Sequence, residues 1–289
     1  MLKRSSWLVA AASLFLTFPL PVARASGDPV LVGAGDIATC NGTADSKTAT
    51  LVQQAGGVVF TAGDNAYDRG SQAQFANCYG PTWGSFRSKT HPAVGDNEYD
   101  TSGAAGYWDY FGSRAGPKGK GWYSYDLGSW HVVVLNSNCS KVGGCGKGSP
   151  QETWLKADLA GTSAKCIAAV WHSPRFSSVY GNSSATKPFW DDLYAAGADI
   201  VINGHHHAYE RFAPQTPSGG ADSHGIREFL VGTGGAPLAG GFNSVQPNSQ
   251  VRNAKTYGVL KLQLHSSSYD FSFIPVAGSS FHDSGSGTC

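Results

Sequence analysis

Short apolar runs punctuate this chain, and several of them end in the same two residues. Val30–Val32 leads into Gly35-Asp36, Val58–Phe60 into Gly63-Asp64, and Pro92–Val94 into Gly95-Asp96. Runs of this length without a polar face predict buried strands, each delivering a glycine and then an aspartate at its carboxyl end. Ala44–Gln54, opened by polar residues, fits a helix between the first two strands. That strand–helix–strand unit predicts parallel pairing and a right-handed crossover. Farther along, Trp130–Leu135 reads as a strand, Glu152–Leu159 as a helix behind Pro150, and Cys166–Trp171 as a strand running straight into His172. Lys187–Ala195 reads as a helix, and Asp199–Ile202 as a strand ending in Asn203-Gly204-His205-His206-His207. Near the C-terminus the pattern changes: Leu260, Leu262 and Leu264, then Tyr269, Phe271 and Phe273, recur at every second position. This period predicts antiparallel, half-buried sheet. Together the segments predict a mixed α/β sandwich with its chemistry on loops at strand carboxyl ends, where open α/β sheets place their sites.

Composition narrows the setting. The net charge of +1 supplies no field that would recruit nucleic acid or a membrane surface. A basic start at Lys3-Arg4, an apolar run from Trp7 to Leu20 and the small-x-small triplet Ala23-Arg24-Ala25 predict a secretory signal peptide over residues 1–25. The run is short for a membrane span and ends in Pro19 and Pro21, so no anchor is expected after cleavage. Residues 26–289 then form a single domain, extracellular or periplasmic. Six cysteines in an exported chain predict disulfides. Six cysteines allow 15 pairings, and the sequence alone does not choose among them; Cys139 and Cys145, which flank a Gly-rich loop, are the favoured local pair, and Cys40–Cys78 with Cys166–Cys289 would then follow. No C-x-x-C is present to favour zinc. The 38 glycines, eight tryptophans and 14% charged residues describe a rigid, loop-rich protein rather than a helical bundle.

Gly33-x-Gly35-x-x-Ala38 has the spacing of a dinucleotide-binding turn, but its context is wrong. Such a turn opens a helix at once and has an acidic residue about twenty positions on. Here Thr39-Cys40-Asn41-Gly42 intervenes, and the next strand ends in its own Gly-Asp. The residue that matters is Asp36. Gathered at strand ends are Asp36, Asp64, Asp96, His172, His205 and His207. Carboxylates and imidazoles on one edge suit hard or borderline metal ions, and the acids would repel one another without them. His91, His131, His224, His265 and His282 have no motif around them and read as structural. The run Gly232–Gly241 reads as loop punctuation, and no G-x-S-x-G elbow supports a serine hydrolase.

The order Gly35-Asp36, Gly63-Asp64-x-x-Tyr67, Gly95-Asp96-Asn97-Glu98, His172 and Gly204-His205-x-His207 resembles the calcineurin-like metallophosphoesterases, and within them the small bacterial purple acid phosphatase-like enzymes. Tyr67, three residues after Asp64, and Ala38, where the wider superfamily has a histidine, both fit that branch. The resemblance implies a four-layer αββα sandwich of two mixed β-sheets. It also implies a secreted phosphatase acting on small-molecule phosphate esters, monoesters or nucleotides, through a metal-held hydroxide. Carried over by position, Asp36, Tyr67 and His207 would hold a first metal and Asp96, His172 and His205 a second, with Asp64 bridging. The implied cofactors are two metal ions per chain, Fe(III) with Zn, Mn or Fe. The third motif departs from the family's Gly-Asn-His: Asp96 stands for the asparagine and Asn97 for the histidine that assists proton transfer. Asn182 occupies the stretch where relatives carry another histidine. An amide donates a hydrogen bond but gives up no proton at ordinary pH. Asn97, Asp64 and His206 are therefore the catalytic candidates, with His206 the remaining source of a proton. The alternative is a catalytically impaired relative that binds metal and phosphate.

Overall fold

The computed structural model describes residues 1–2 and 27–289, so most of the expected signal segment lies outside the described residues. Two mixed sheets face one another. The first has six strands. β1 (Val30–Ala34), β2 (Val58–Ala62) and β3 (Thr90–Ala93) pair in parallel, while β11 (Gly258–Leu264), β12 (Ser268–Pro275) and β13 (Asp283–Thr288) join antiparallel beside β1, in the order β13-β12-β11-β1-β2-β3. The second has seven strands: β4 (Tyr123–Leu127), β5 (Trp130–Val134), β6 (Cys166–Val170), β7 (Ile200–Asn203), β8 (Tyr209–Phe212), β9 (Arg227–Val231) and β10 (Ser249–Asn253), in the order β10-β8-β9-β7-β6-β5-β4. β5, β6, β7 and β9 form its parallel centre. The helices are α1 (Ala44–Ala55), the single turn α2 (Gln72–Gln74), α3 (Ala105–Phe111), α4 (Pro150–Gly161) and α5 (Lys187–Ala195).

The central strands read as unbroken apolar runs because both of their faces are covered. In β6, Cys166, Ala168 and Val170 join the core between the sheets, while Ile167, Ala169 and the following Trp171 join Phe189, Trp190 and Leu193 of α5 in a second core. In β7, Ile200 and Ile202 face inward and Val201 outward. Edge-on aromatic pairs close the inner core across the sheets, with Trp130 against Tyr269 and Phe229 against Phe271. Fully burying one such side chain contributes about 1.5–3 kcal/mol, so each covered face outweighs any local propensity. On the other side of the molecule, Ala49 and Val52 of α1 cover the first sheet.

The expected helices and strands are present, with boundaries moved by at most two residues; α1 ends at Ala55 and α4 opens at Pro150, capped by Ser149. All three expected disulfides form: Cys40–Cys78, Cys139–Cys145 and Cys166–Cys289. The last links β6 to the residue after β13 and so staples one sheet to the other. The polar C-terminal tail is not a plain tail: Asp283–Thr288 pairs with β12 as an edge strand. Its glycines leave room for aromatic rings, because a side chain at Gly285 or Gly287 would meet Phe271 or Tyr269. No helix of the described residues is long and apolar enough to cross a membrane.

Candidate metal centre

Five strand ends meet at one edge of the sandwich. Asp36 follows β1, Asp64 follows β2, Asp96 follows β3, His172 follows β6, and His205 and His207 follow β7. Asp36, Asp64 and His205 have φ of 60°, 51° and 70°, in the left-handed region that side chains normally avoid. Each such residue costs on the order of 1–3 kcal/mol, and strain of this kind collects at functional sites. The glycines before Asp64 and Asp96 are obligatory for contact reasons. A Cβ on Gly63 would run into the His172 ring, and one on Gly95 into the Asp64 carboxylate.

Two groups of donors result, with Asp64 common to both. In the first, the Tyr67 hydroxyl lies 2.8 Å from Asp36 Oδ1, 2.9 Å from Asp64 Oδ2 and 3.1 Å from His207 Nε2. His207 Nε2 is also 3.2 Å from Asp36 Oδ1. In the second, His172 Nε2 lies 2.8 Å from Asp96 Oδ1, 3.1 Å from His205 Nδ1 and 3.3 Å from Asp64 Oδ1. His205 Nδ1 is 3.0 Å from Asp96 Oδ1. All seven residues that the sequence singled out as ligands therefore converge. The main chain orients several of them: His172 Nδ1 faces the Ala62 carbonyl at 2.8 Å, His207 Nδ1 faces the Pro237 carbonyl at 2.7 Å, and the His205 N–H donates to Asp36 Oδ2. Such partners fix which ring nitrogen is free for a metal.

Charge decides whether the set fits a cation. Burial would raise the Asp36 carboxyl, but His207 outweighs it and the net shift is downward. Asp96 is lowered in the same way by His172 and His205, against its burial. Burial disfavours a proton on His172, yet Asp64 and Asp96 hold its pKa well above the ordinary value, and Asp36 brings His207 up to about 9. Burial together with Asp36 and Asp64 pushes the Tyr67 phenol far up. Without a cation the carboxylates borrow positive charge from histidine protons and keep the phenol neutral. Oxygen and imidazole donors that demand positive charge, with no thiolate among them, fit hard or borderline metal ions.

The catalytic candidates sit around this cluster. The Asn97 N–H donates to Asp64 Oδ1 at 3.0 Å, so its main chain touches the cluster, and the residue is half-buried. His206 is buried between His205 and Tyr180, and burial, reinforced by His205, lowers its pKa to about 4. Asn182 Oδ1 accepts from the Ser177 N–H, so this amide serves the loop that carries it.

Two supports escaped the sequence reading. The buried Glu98 carboxylate accepts from the main-chain N–H of Asp64, Asn65, Ala66 and Gly95, knitting the second and third Gly-Asp loops together. Burial and the Asp64 charge push it up to about 8, while the amides pull the other way. The only hint of it was its place two residues after Asp96. Likewise, the run from Gly232 is more than punctuation. The Gly234 N–H donates to the Gly35 carbonyl, the Ala236 N–H donates to the Asp36 carbonyl, and a Cβ at Gly232 would strike the Asp36 carboxylate.

No family model matches the chain. It is 37% identical to purple acid phosphatase 15 of Arabidopsis thaliana over 97 residues, 31% of this chain and 18% of that protein. It is 27% identical to purple acid phosphatase 18 of the same plant over 171 residues, 56% of this chain and 38% of that one. The purple acid phosphatase PPD1 from yellow lupin (Lupinus luteus) seeds superposes with a TM-score of 0.70 at 19% identity, over 91% of this chain and 54% of that chain. The matches thus span well under two thirds of the length of these relatives. The two mixed sheets with flanking helices are the fold shared with the lupin protein.

Proposed function

We propose that this chain, which belongs to the calcineurin-like metallophosphoesterase superfamily, hydrolyses small phosphate esters with two metal ions held at the sheet edge. The observation that carries the proposal is the position of Asp64, within reach of the Tyr67 hydroxyl on one side and His172 Nε2 on the other. Asp36, Tyr67 and His207 would hold one ion, Asp96, His172 and His205 the other, and Asp64 both. Bound there, the cations would bring the pKa of water toward about 7 and offset charge on the phosphoryl oxygens. A phenol pressed against two carboxylates favours a ferric ion beside Tyr67, with zinc, manganese or iron opposite.

The chain's own residues supply orientation. Asn97 pins Asp64 through its N–H, and its side-chain amide can donate to a phosphoryl oxygen but releases no proton. His206 is the other candidate to assist a leaving group, and with its pKa lowered to about 4 by burial and His205 it would have a proton to give only in acid. The three disulfides support an extracellular or periplasmic setting. The second reading, an impaired relative that binds metal and phosphate, draws on Asn97 and Asn182 standing where family histidines stand.

Metal content and aryl phosphate hydrolysis, measured on one sample, test the proposal. Wild type should carry two ions and turn over. Asp64→Ala should lose both ions, His207→Ala mainly the first and His205→Ala the second. An Asp64→Ala protein that keeps both ions and activity would remove the bridging role. Metal-loaded protein with no turnover of any ester would favour the impaired reading.

A further inference from the structure

Beside the metal centre, the loop between β6 and α5 and the Gly204–His206 turn enclose a cleft of about 300 Å³. Ser137, Ser173, Asn182, Thr186 and His206 contribute to its walls, and no lysine, arginine, aspartate or glutamate does. His205 belongs both to this cleft and to the ligand cluster, so a group bound here would sit next to the reacting centre. At the rim stands Tyr180, 68% exposed, the one aromatic ring among the large hydrophobic side chains left in solvent within the described residues. Its ring meets His206 edge to face, with centroids 5.0 Å apart.

An exposed ring at the mouth of a cleft beside the ligand cluster is placed to meet whatever enters, and the loop that carries it is anchored from below. Two fully buried glutamates from the second sheet grip it. Glu228 accepts from the N–H groups of Arg175 and Phe176, at 3.2 and 3.3 Å. Glu210 accepts from the Ser178 N–H at 2.8 Å and from the Ser178 hydroxyl. Asn182 Oδ1 closes the loop on the Ser177 N–H at 3.1 Å. These bonds anchor the main chain of residues 175–178, two residues before Tyr180, although Glu228 Oε2 itself has no partner. A ring carried on an anchored loop and held against His206 loses less entropy when a ligand covers it.

We propose that this cleft seats the leaving group of the substrate and that Tyr180 is a stacking platform for a planar aromatic group, so that nucleoside or aryl phosphates are taken in preference to sugar or alkyl phosphates. The uncharged walls suit a neutral group, and the volume, at the small end for ligand pockets, accommodates one ring system rather than a polymer. The proposal rests on the phosphoesterase reading for the word substrate, but the aromatic seat itself does not.

AMP and ribose 5-phosphate separate the seat from leaving-group chemistry, because in both the leaving oxygen is the primary one on ribose C5, and C1 carries adenine in one and a hydroxyl in the other. Base–aromatic stacking is worth about tenfold or more in binding. Wild type should favour AMP in kcat/KM by about that factor, Tyr180→Ala should bring the ratio near one, and Tyr180→Phe should preserve it. Independently, adenosine without phosphate should bind the purified protein in saturation-transfer NMR, and Tyr180→Ala should abolish the signal. Equal kcat/KM for the two esters in wild type, or adenosine binding untouched by Tyr180→Ala, would overturn the proposal. Tyr180-dependent adenosine binding in a protein that hydrolyses no ester would keep the aromatic seat and overturn the phosphoesterase reading instead.

Discussion

Glu98→Ala should be among the most damaging single substitutions in this protein, although Glu98 is not one of the proposed ligands. Its carboxylate accepts from four main-chain donors: Gly95 N at 2.7 Å, Asn65 N at 2.7 Å, Asp64 N at 3.1 Å and Ala66 N at 3.3 Å. Alanine orphans all four in a buried site. Each unsatisfied buried donor costs about 1–3 kcal/mol, and taking the lower bound for water entering the vacated space gives about 4 kcal/mol. For a chain of this size that corresponds to a fall in Tm of roughly 8–16 °C. Glu98→Gln keeps one acceptor oxygen and turns an NH₂ toward the donors the other oxygen served, so about half the effect, roughly 4–8 °C, is expected. Because two of the donors belong to Asp64 and to the residue before Asp96, metal content should fall in the same order. Thermal melts by circular dichroism, with metal analysis of each sample, are the assay. A Glu98→Ala protein melting within about 2 °C of wild type with a full metal complement would refute the idea that this carboxylate ties the two loops together.

If proton supply to the leaving group is weak, wild type should hydrolyse p-nitrophenyl phosphate and nucleoside polyphosphates well and glycerol phosphate poorly, since general acid help is worth about 10²–10⁴ in rate. Asn97→His should then raise the glycerol phosphate rate selectively; a flat wild-type series over leaving groups would show that another acid, with His206 the first suspect, already acts. If Tyr67 binds a ferric ion, the iron-loaded protein should show a visible charge-transfer band that Tyr67→Phe removes; a colourless, iron-free but fully active preparation would exclude the ferric assignment and leave the two-metal proposal intact. Far from the metal centre, burial opposes a charge on His131, but its hydrogen bonds to Asp126 at 2.8 Å and Asp158 at 2.9 Å prevail and raise its pKa. A folded pKa above the unfolded value stabilises fully below about pH 6.5 and is lost as pH climbs through the folded value. His131→Gln should therefore cost about 1–3 kcal/mol at pH 5.5 and distinctly less at pH 9, read by denaturant melts at the two pH values; equal losses would contradict the linkage.

What the sequence determined by itself was everything tied to short-range pattern. Apolar runs such as Cys166–Val170 are legible because strands covered on both faces need no polar alternation. The Gly-Asp endings are legible because only glycine tolerates the crowding beneath Asp64 and His172. The candidate ligands were readable because each stands at the end of an apolar run that predicts a strand. The tertiary structure alone decided the rest. β13, with the sequence Asp-Ser-Gly-Ser-Gly-Thr, has no strand pattern of its own and exists because β12 offers an edge and its aromatic rings fill the space above the glycines. Glu98 gained its role from amides up to 34 residues away, and Glu210 and Glu228 gained theirs from a loop more than thirty residues distant, because hydrogen-bond satisfaction is settled only when the chain has closed around the group. Tyr180 carries no signal in the sequence for the same reason: exposure beside the candidate metal centre is a property of the assembled surface, and no local pattern encodes it.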